Sequence, residues 1–436
     1  MKVLKFGGTS VGSAQRMKDV AQLICNGQQK IVVLSAMSGT TNSLIEISDY
    51  LFKKNSYGAM ELINALEQKY LLICDELFAT EPSRAKGKDY IKEAFESMRS
   101  ISKAIFTTFE EKCIIAQGEL ISTKLFTLYL EEQGVKACLL PALDYMRIDK
   151  NGEPDMAYIA DNLKALLENN PQYDIYITQG FICKNCYGET DILQRGGSDY
   201  TAAIIGVAIN SEEIQIWTDN EGMRNNDPQW VDNTQPVHFL HFEEAAELAY
   251  FGTKILHPTC ILPAKLHNIP VRVLNTMDPT AHGTLITNNI KPKKVEAVAA
   301  KDGIASIKIK SGRMLMAHGF LRKVLETFET HKTSIDMVTT SEVGVSVTID
   351  NLRHLDDIVD DLKKFGTVTV EKDMVMICVV GDLPYEHVGF QAQVLNALQD
   401  ISLRMISYGG SNYNISFLVK AEDKARALQS LSKHLF

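Results

Sequence analysis

The chain has 436 residues, of which 45% are hydrophobic and 23% are charged, and its formal net charge at pH 7 is −9. This length predicts two or three domains, and the acidic balance without a dense Lys/Arg run excludes nucleic acid and anionic membranes as expected partners. No apolar run reaches the roughly 20 residues of a membrane span and no signal-peptide pattern begins the chain, so we expect a cytoplasmic protein.

The first predicted element is a short strand that leads into a glycine pair. Lys5-Phe6-Gly7-Gly8-Thr9-Ser10 follows the apolar Val3 and Leu4, and residues 11–24 carry apolar side chains at helical spacing. Adjacent glycines let the backbone approach a ligand closely, and the amides at a helix N-terminus attract anions. With the Lys5 ammonium beside it, the turn is suited to phosphate, although a tight strand–helix connection explains it equally well when it is taken alone.

Strands and helices alternate through the first two thirds of the chain. The predicted strands are Ile31–Ala36, Ala137–Leu140, Ile175–Phe181, Ile214–Trp217 and Val271–Leu274. Helical patterns lie between them, such as Glu243–Phe251 and Pro258–His267, and residues 57–109 are predicted as a long helical insertion. This alternation predicts an α/β fold with a mostly parallel sheet between helices, which binds ligands at the carboxyl ends of its strands.

Several polar segments in this part of the chain contain residues suited to catalysis or ligand binding. Gly118-Glu119 is predicted at a helix start, where a carboxylate is usually solvated, and Arg195–Asp199 holds a second glycine pair at a helix entry. Thr218-Asp219 ends a strand and opens a loop suited to a nucleotide and Mg²⁺, while Lys254 adds a second phosphate cation. Without a Ser–His–Asp arrangement or a set of metal ligands, this combination favours phosphoryl transfer.

The order of predicted strands and helices changes after a polar linker at residues 288–294. Residues 304–371 predict a strand, a helix, two strands at Ser334–Thr339 and Val343–Asp350, a helix and a strand. Residues 375–434 repeat this order but lack the last strand, and Val295–Ala299 is available to supply it. We therefore predict two ferredoxin-like β-α-β-β-α-β units, one nested in the other.

Five segments taken together resemble the aspartate kinases (aspartokinases) of the amino-acid-kinase family. They are Lys5–Val11, Ser35–Asn42, Gly118–Leu120, Arg195–Thr201 and Phe251–Pro258. The resemblance runs in order through essentially the whole chain, and the C-terminal pair of units resembles ACT domains, which sense amino acids. Residues 314, 318–321 and 334–343 are most similar to the lysine-responsive, single-function branch.

The resemblance implies phosphorylation of the β-carboxylate of L-aspartate to 4-phospho-L-aspartate, with ATP and Mg²⁺, as the first step toward lysine, threonine and methionine. It implies a catalytic domain at 1–287, a linker with a strand for the second ACT unit at 288–300, and ACT domains at 301–372 and 373–436. A homodimer formed through the ACT domains and an amino-acid effector, lysine, are further implications. We expect no metal site built from protein ligands, because Cys183–Cys186 is a lone Cys-x-x-Cys, predicted as a loop.

The resemblance also assigns roles to single residues. It implies that catalysis depends on Lys5, Gly7, Gly8 and Asp199. The implied aspartate contacts are Thr41, Glu119, Arg195, Ser198 and Asp199. The implied nucleotide contacts are Lys5, Gly8, Ser10, Ser35, Thr218, Asp219, Arg224, Lys254 and Ile255. The implied effector contacts are Met314, Gly319, Phe320, Leu321, Ser334, Ile335, Asp336, Thr340 and Ser341, with the amides after Gly319 on the effector carboxylate and Asp336 on its ammonium.

Two alternatives stay open at this point. One is a kinase for another small acid, such as glutamate or N-acetylglutamate, although an acylated amine would leave the acids at Glu119 and Asp199 unpaired. The other is an amino-acid sensor whose kinase site has decayed. Arg224 and Gln229, which stand where the family commonly has an aromatic residue and an arginine, are its only support.

Overall fold

The computed structural model describes residues 1–103, 105–193, 196–251, 258–290, 294–312, 318–384 and 386–436. It divides into two compact units, Met1–Met223 with Lys254–Asn289, and Arg224–Thr253 with Ile290–Phe436. The predicted domain bounds differ from these units at residues 224–253, which we had placed in the catalytic domain, so those bounds stay predictions. No helix in the described ranges has both the length and the apolar character that a membrane crossing requires.

The strands are given in chain order. They are β1 (Lys2–Phe6), β2 (Lys30–Leu34), β3 (Ala137–Leu139), β4 (Ile175–Gln179), β5 (Ile182–Lys184), β6 (Thr190–Ile192), β7 (Ile214–Thr218), β8 (Phe239–Leu240), β9 (Val271–Asn275), β10 (Thr284–Ile286), β11 (Ala297–Lys310), β12 (Val338–Ser341), β13 (Gly344–Ile349), β14 (Thr367–Val380), β15 (Met405–Tyr408) and β16 (Asn414–Lys420). Each predicted strand of the first two thirds is present, with ends that shift by one or two residues.

The helices follow in the same order. They are α1 (Ala14–Ile24), α2 (Thr40–Phe52), α3 (Ser56–Leu77), α4 (Glu81–Ile101), α5 (Thr108–Glu132), α6 (Ala142–Tyr145), α7 (Met156–Glu168), α8 (Gly197–Ala208), α9 (Phe242–Tyr250), α10 (Pro258–Leu266), α11 (Phe320–Thr330), α12 (Leu355–Leu362), α13 (Phe390–Ala397) and α14 (Lys424–Leu435). The predicted helical insertion is confirmed as α3 and α4.

The large sheet of the first unit is mostly parallel, as predicted. Its strands follow the order β3-β4-β2-β1-β7-β9-β10, and only the β9–β10 pair within this order is antiparallel. Strand β2 is buried along its whole length, as expected for a strand covered on both faces. Buried aromatic rings such as Tyr70, Phe95 and Phe126 fill the core between the sheet and the helices, and each contributes about 1.5–3 kcal/mol or more by leaving water.

The Cys-x-x-Cys segment is part of a hairpin, so its prediction as a loop is wrong for Cys183 and right for Cys186. Cys183 lies in β5, which pairs antiparallel with β6, and Cys186 lies in the turn that joins them. Apolar Ile182 pairs with Ile192 across the hairpin, and this pairing favours a strand for the residues before Asn185.

The second unit contains one continuous sheet of six strands in the order β12-β13-β11-β14-β16-β15. The first part of β11, from Ala297, pairs with the end of β14, and the last part of β11 pairs with the start of β14. Each ferredoxin-like unit thus takes one half of β11 and one half of β14. The predicted nesting is confirmed, and residues 297–301 supply the missing strand.

The junction between the two halves of this sheet is irregular. The register of β11 against β14 shifts between Lys301 and Ile304, and Gly303 has a φ of 75°. On the facing strand Asp373 has a φ of 56°, a conformation that costs a non-glycine residue energy. The predicted ACT boundaries at 300/301 and 372/373 fall at this irregularity, although no chain break or loop marks it.

One predicted strand of the second unit begins four residues late. We expected it at Ser334–Thr339, but β12 begins at Val338. Asp336 donates its N–H to Thr348 O, and Met337 donates its N–H to Thr348 Oγ1, so two consecutive residues face one residue of β13. This two-against-one arrangement is that of a β-bulge, which interrupts regular pairing and redirects a side chain.

Candidate active site at the carboxyl ends of the parallel strands

A polar cleft of about 380 Å³ opens at the carboxyl ends of the central strands in the first unit. Lys5 and Gly8 line one side, and the 35–42 segment with Glu119 lines another. Phe181 and the first residues of α8 complete it, so the cleft joins segments far apart in the sequence. The predicted residues Lys5, Gly8, Ser35, Thr41, Glu119, Ser198 and Asp199 all line this one cleft.

The first glycine turn is held by backbone hydrogen bonds that leave two amides available. Gly7 donates its N–H to Trp217 O, and Gly8 O accepts from the N–H of Ser38. A Cβ atom on Gly8 would lie 2.8 Å from Ala36 O, so this approach of two backbones requires glycine. Within the described ranges, the N–H groups of Gly8 and Thr9 donate to no acceptor. They are therefore free to bind an anion.

Lys5 and Asp199 form the central ion pair of the cleft. Lys5 Nζ, at the end of β1, lies 2.7 Å from Asp199 Oδ1 in the first turn of α8. Both side chains are about seven-eighths buried, with relative exposures of 13% and 14%. A carboxylate in a first helical turn also interacts favourably with the helix dipole, which fixes Asp199 at this position.

Glu119 is not at a helix start, and that prediction is wrong. It lies in the middle of the 25-residue helix α5, and the residue is only 3% exposed. The glycine before it marks a close helix approach, because a Cβ atom on Gly118 would lie 2.8 Å from Ala36 Cβ. A glycine inside a helical pattern suggests an end when only the sequence is known, whereas here it permits packing.

The Glu119 carboxylate has one oxygen available to bind a cation. Its Oε1 accepts a hydrogen bond of 3.2 Å from the N–H of Ala36, and its Oε2 is buried without a hydrogen-bond partner among the described residues. Burial raises the pKa of this carboxyl to about 7, and the bond from Ala36 opposes part of that rise. A positively charged ligand would satisfy Oε2 and restore the ionised form.

Hydroxyl groups behind the cleft fix the segments that line it. Ser122 donates to Ser35 O at 2.8 Å, which ties α5 to the end of β2. Thr40 Oγ1 lies 2.8 Å from the hydroxyl of buried Tyr70 beside the start of α2. Thr41, next along α2, faces the cleft. These bonds hold the cleft walls in place before any ligand binds.

The residues predicted to contact the nucleotide do not all lie at the cleft. Thr218 ends β7 and donates to Asp219 Oδ1 at 3.2 Å, and Asp219 is exposed beyond the strand. Ser10 is completely buried and its hydroxyl lies 2.7 Å from Thr276 Oγ1, so it does not line the cleft. Arg224 belongs to the second unit, where its guanidinium donates to Thr234 Oγ1 and Thr234 O. Arg195, Lys254 and Ile255 fall outside the described residues, so their predicted roles stay predictions.

The residues predicted for the effector belong to the second unit, apart from Met314, which also falls outside the described residues. Gly319 is the N-cap of α11 with a φ of 83°, as its prediction at a helix start requires. Phe320 is buried and Leu321, Ser334, Thr340 and Ser341 are exposed, while Ile335 packs against the same core as Phe320. Asp336 already has a cationic partner, because Lys301 Nζ lies 2.9 Å from its Oδ1.

Sequence reasoning missed several residues that contact these predicted ones. Tyr250 and Lys301 both bond to Asp336, and Asp350 bonds to Lys301. No motif contains them, so only the folded structure could identify them. Potential metal ligands also occur in the second unit, where His331, His354 and Asp357 place ligand atoms within 4.8 Å of one another. His331 Nε2 is 2.9 Å from Asp361 Oδ2, so part of this set already has a protein partner.

Two known protein families match stretches of this chain. The amino acid kinase family matches residues 1–275, and an ACT domain matches residues 377–435. The chain is 32% identical to lysine-sensitive aspartokinase 3 of Escherichia coli over 447 residues, covering all of this chain and 99% of that protein. It superimposes on crystal structures of E. coli aspartokinase III with aspartate and ADP (TM-score 0.87) and with lysine and aspartate (TM-score 0.85), each at 32% identity and over the full length of both chains.

Proposed function

The chain belongs to the amino acid kinase family, as an aspartokinase with C-terminal ACT domains, and from this membership we infer that it phosphorylates L-aspartate with ATP under regulation by lysine. The observation that carries the inference is the cleft in which Lys5, Asp199 and Glu119 meet beside two free amides. One cation and two carboxylates within a polar cleft suit a zwitterionic amino acid next to a phosphate chain.

Catalysis by this cleft rests on charge neutralisation. The nucleophile is the β-carboxylate of aspartate, whose ordinary pKa of about 3.9 leaves it ionised at neutral pH, so no general base is needed. Its oxygen attacks the γ-phosphorus of ATP, the bond to the bridging oxygen breaks, and ADP leaves. Lys5 and the amides of Gly8 and Thr9 stabilise the negative charge that two anions bring together.

The two carboxylates of the cleft are proposed to bind the substrate ammonium. Glu119 Oε2 is buried without a partner in the described structure, and an ammonium supplies the missing hydrogen-bond donor. Arg195, Thr41 and Ser198 are proposed to hold the α-carboxylate, with Arg195 forming two parallel hydrogen bonds. Asp199 also keeps Lys5 in place through their ion pair.

Nucleotide binding is assigned to the neighbouring strand ends. Ser35, Thr218, Lys254 and Ile255 are proposed to contact the nucleotide, and Mg²⁺ is proposed to accompany it. Asp219 fits the metal, because among the described residues its exposed carboxylate accepts hydrogen bonds only from the Thr218 hydroxyl and the Asn220 amide and forms no ion pair. When bound, Mg²⁺ neutralises phosphate charge and orients the transferred group.

Regulation and assembly are assigned to the second unit. Lysine is proposed to bind with its carboxylate at the N-terminus of α11, after Gly319, and with an ammonium at Asp336. The outer strands of the sheet, β12 and β15, each pair with one neighbouring strand among the described residues, and we propose that a homodimer forms through the ACT domains. Sedimentation of the purified chain should give twice the monomer mass, and a monomer would reject this assembly.

A coupled assay for ADP release tests the activity. We expect turnover with L-aspartate and MgATP that exceeds turnover with L-glutamate or N-acetylglutamate by at least about a hundredfold, and trapping with hydroxylamine should detect the acyl phosphate. Lysine and threonine are titrated in the same assay, with inhibition expected from lysine. ADP release that does not depend on any added amino acid would contradict the proposed function.

A further inference from the structure

Four side chains of the second unit form a connected group, here called the Asp336 cluster: Tyr250, Lys301, Asp336 and Asp350. The Tyr250 hydroxyl donates to Asp336 Oδ1 at 2.9 Å, and Lys301 Nζ lies 2.9 Å from the same oxygen. Lys301 also bonds to Asp350 Oδ2 at 2.9 Å, and its ammonium lies 4.6 Å from the centre of the Tyr250 ring. The cluster therefore connects the end of helix α9 to the predicted effector site.

The charges of the Asp336 cluster do not balance. It holds two carboxyl groups and one ammonium, so it carries one net negative charge when both carboxyls are ionised, and burial raises the pKa of the Asp336 carboxyl. The side chain of Asp336 is only 1% exposed, and its Oδ2 is buried without a hydrogen-bond partner among the described residues. An unsatisfied buried carboxylate oxygen costs free energy, and a second ammonium would satisfy it and neutralise the cluster.

Lys301 is held in its charged form despite its burial. Burial lowers the pKa of this ammonium, but the hydrogen bonds that it donates to Asp350 and Asp336 outweigh burial and hold the pKa above its ordinary value. Lys301 therefore remains on Asp336 Oδ1 at neutral pH. An incoming ammonium is directed to Oδ2, while Tyr250 stays bonded to Oδ1.

The backbone at Asp336 explains why this carboxylate points inward. The bulge at residues 336 and 337 turns two consecutive side chains toward the interior, and Met337 is also buried. The bonds of residues 336 and 337 to Thr348 thus fix the segment before β12, and the Asp336 carboxylate meets the Tyr250 hydroxyl at the end of α9.

We propose that the Tyr250 hydroxyl couples the effector site to the nucleotide-binding segment. Lysine binding at Asp336 changes the hydrogen bond of this hydroxyl, and helix α9 transmits the change to the segment that follows it. Tyr250 is the last residue of α9, and Lys254, which we propose contacts the nucleotide, follows four residues later. An ammonium on Oδ2 withdraws charge from the carboxylate and weakens the bond that Oδ1 accepts from Tyr250. Binding at one site then changes the free energy of the other, and the effect is reciprocal.

This inference rests on the proposed function, because it requires that lysine binds at Asp336 and inhibits the kinase. Its test is Tyr250→Phe, which removes the hydroxyl but keeps the ring that faces Lys301. Tyr408→Phe is the matched control. It removes a hydroxyl that donates to Leu383 O in the same unit without touching the Asp336 cluster.

The full chain is assayed with aspartate and MgATP over a lysine titration, and lysine binding is measured by calorimetry. In Tyr250→Phe we expect the inhibition at saturating lysine to weaken at least about fivefold relative to the parent, the lower end of the usual coupling range. Lysine should still bind, and kcat and KM without lysine should stay within about twofold of the parent, as in Tyr408→Phe.

Two results would overturn this inference and leave the proposed regulation by lysine intact. One is inhibition of Tyr250→Phe with the parental midpoint and extent. The other is complete loss of lysine binding, which would make the hydroxyl part of the binding site and not a coupling contact. A parent protein that neither binds lysine nor is inhibited by it would overturn the proposed regulation as well, and this outcome is visible before any variant is made.

Discussion

Lys5 Nζ lies 2.7 Å from Asp199 Oδ1, although one residue lies near the end of the first strand of the chain and the other lies in the first turn of helix α8. This pair places a mostly buried cation beside the free amides of Gly8 and Thr9. A buried ammonium with a fixed partner does not need to reorganise when charge develops near it, which is the condition for strong electrostatic catalysis.

Replacement of Lys5 by Met should lower kcat by about 10²–10³-fold, the usual effect of removing one oriented donor from charge that develops in a transition state. The KM for aspartate should change much less, because Lys5 is proposed to act on the phosphoryl group. Steady-state kinetics measure both. Lys2→Met is the control, since Lys2 lies at the other end of β1 and pairs with Glu213 at 3.5 Å. Equal losses in both variants would show that a lysine on this strand stabilises the fold only.

Replacement of Glu119 by Gln should raise the KM for aspartate about 10–100-fold, because a hydrogen bond to a charged group contributes about 1.5–3 kcal/mol. The KM for ATP should remain near its parental value. Glu131→Gln, on the exposed end of the same helix, should leave both constants unchanged. A rise in the KM for ATP alone would place Glu119 on the nucleotide side of the cleft.

The activity should fall on the acid side of pH 7. The pKa of Glu119 is raised to about 7 by burial, so the carboxylate is protonated as the pH falls through that value. Only the ionised form binds an ammonium well, so kcat/KM for aspartate should fall by up to about tenfold per pH unit below 7. In Glu119→Gln this limb should disappear from the profile. Its persistence there would assign the titration to another group.

The same carboxyl should destabilise the ligand-free protein at high pH. Its native pKa of about 7 exceeds the ordinary value of 4.5, so its destabilising effect is absent below about pH 4.5 and grows as the pH rises through 7. Glu119→Gln should therefore unfold at higher denaturant concentration than the parent at pH 8, by no more than about 3 kcal/mol in free energy. The difference should shrink at pH 5.5, and a difference independent of pH would indicate a packing effect.

Replacement of Gly118 by Ala should disturb both stability and aspartate binding. The added Cβ would lie 2.8 Å from Ala36 Cβ, a backbone-fixed atom, so helix α5 must shift, at a cost of about 1–3 kcal/mol. The KM for aspartate should rise because Glu119 moves with the helix. Gly58→Ala, also in a helix but facing movable side chains at 3.1 Å, is the control and should have little effect. An unfolding midpoint equal to the parent's would show that the contact relaxes freely.

Much of the fold followed from local patterns. The apolar strand Lys30–Leu34 and the capped helix Ala14–Ile24 were predicted within three residues, since burial on both faces and helical spacing leave clear signatures. Even the nesting of the ACT units was predicted, because the repeat lacks a strand and residues 297–301 supply it. Local patterns gave wrong predictions at Glu119 and at Ser334. The glycine before Glu119 permits close helix packing and does not end a helix, and a bulge delays the strand predicted from Ser334. Both features depend on the segment that faces them.

The sequence by itself determined which chemical groups the cleft would contain, because the glycine turn, Lys5, Glu119 and Asp199 belong to motifs that are read along the chain. Only the tertiary structure decided how those groups meet: that Glu119 is buried with one free oxygen, and that Tyr250 and Lys301 share Asp336. The physical reason is that burial, and with it the pKa of a carboxyl or the need of an oxygen for a partner, is set by what packs against a residue from distant parts of the chain. Sequence spacing records neighbours along the backbone and carries no record of those contacts.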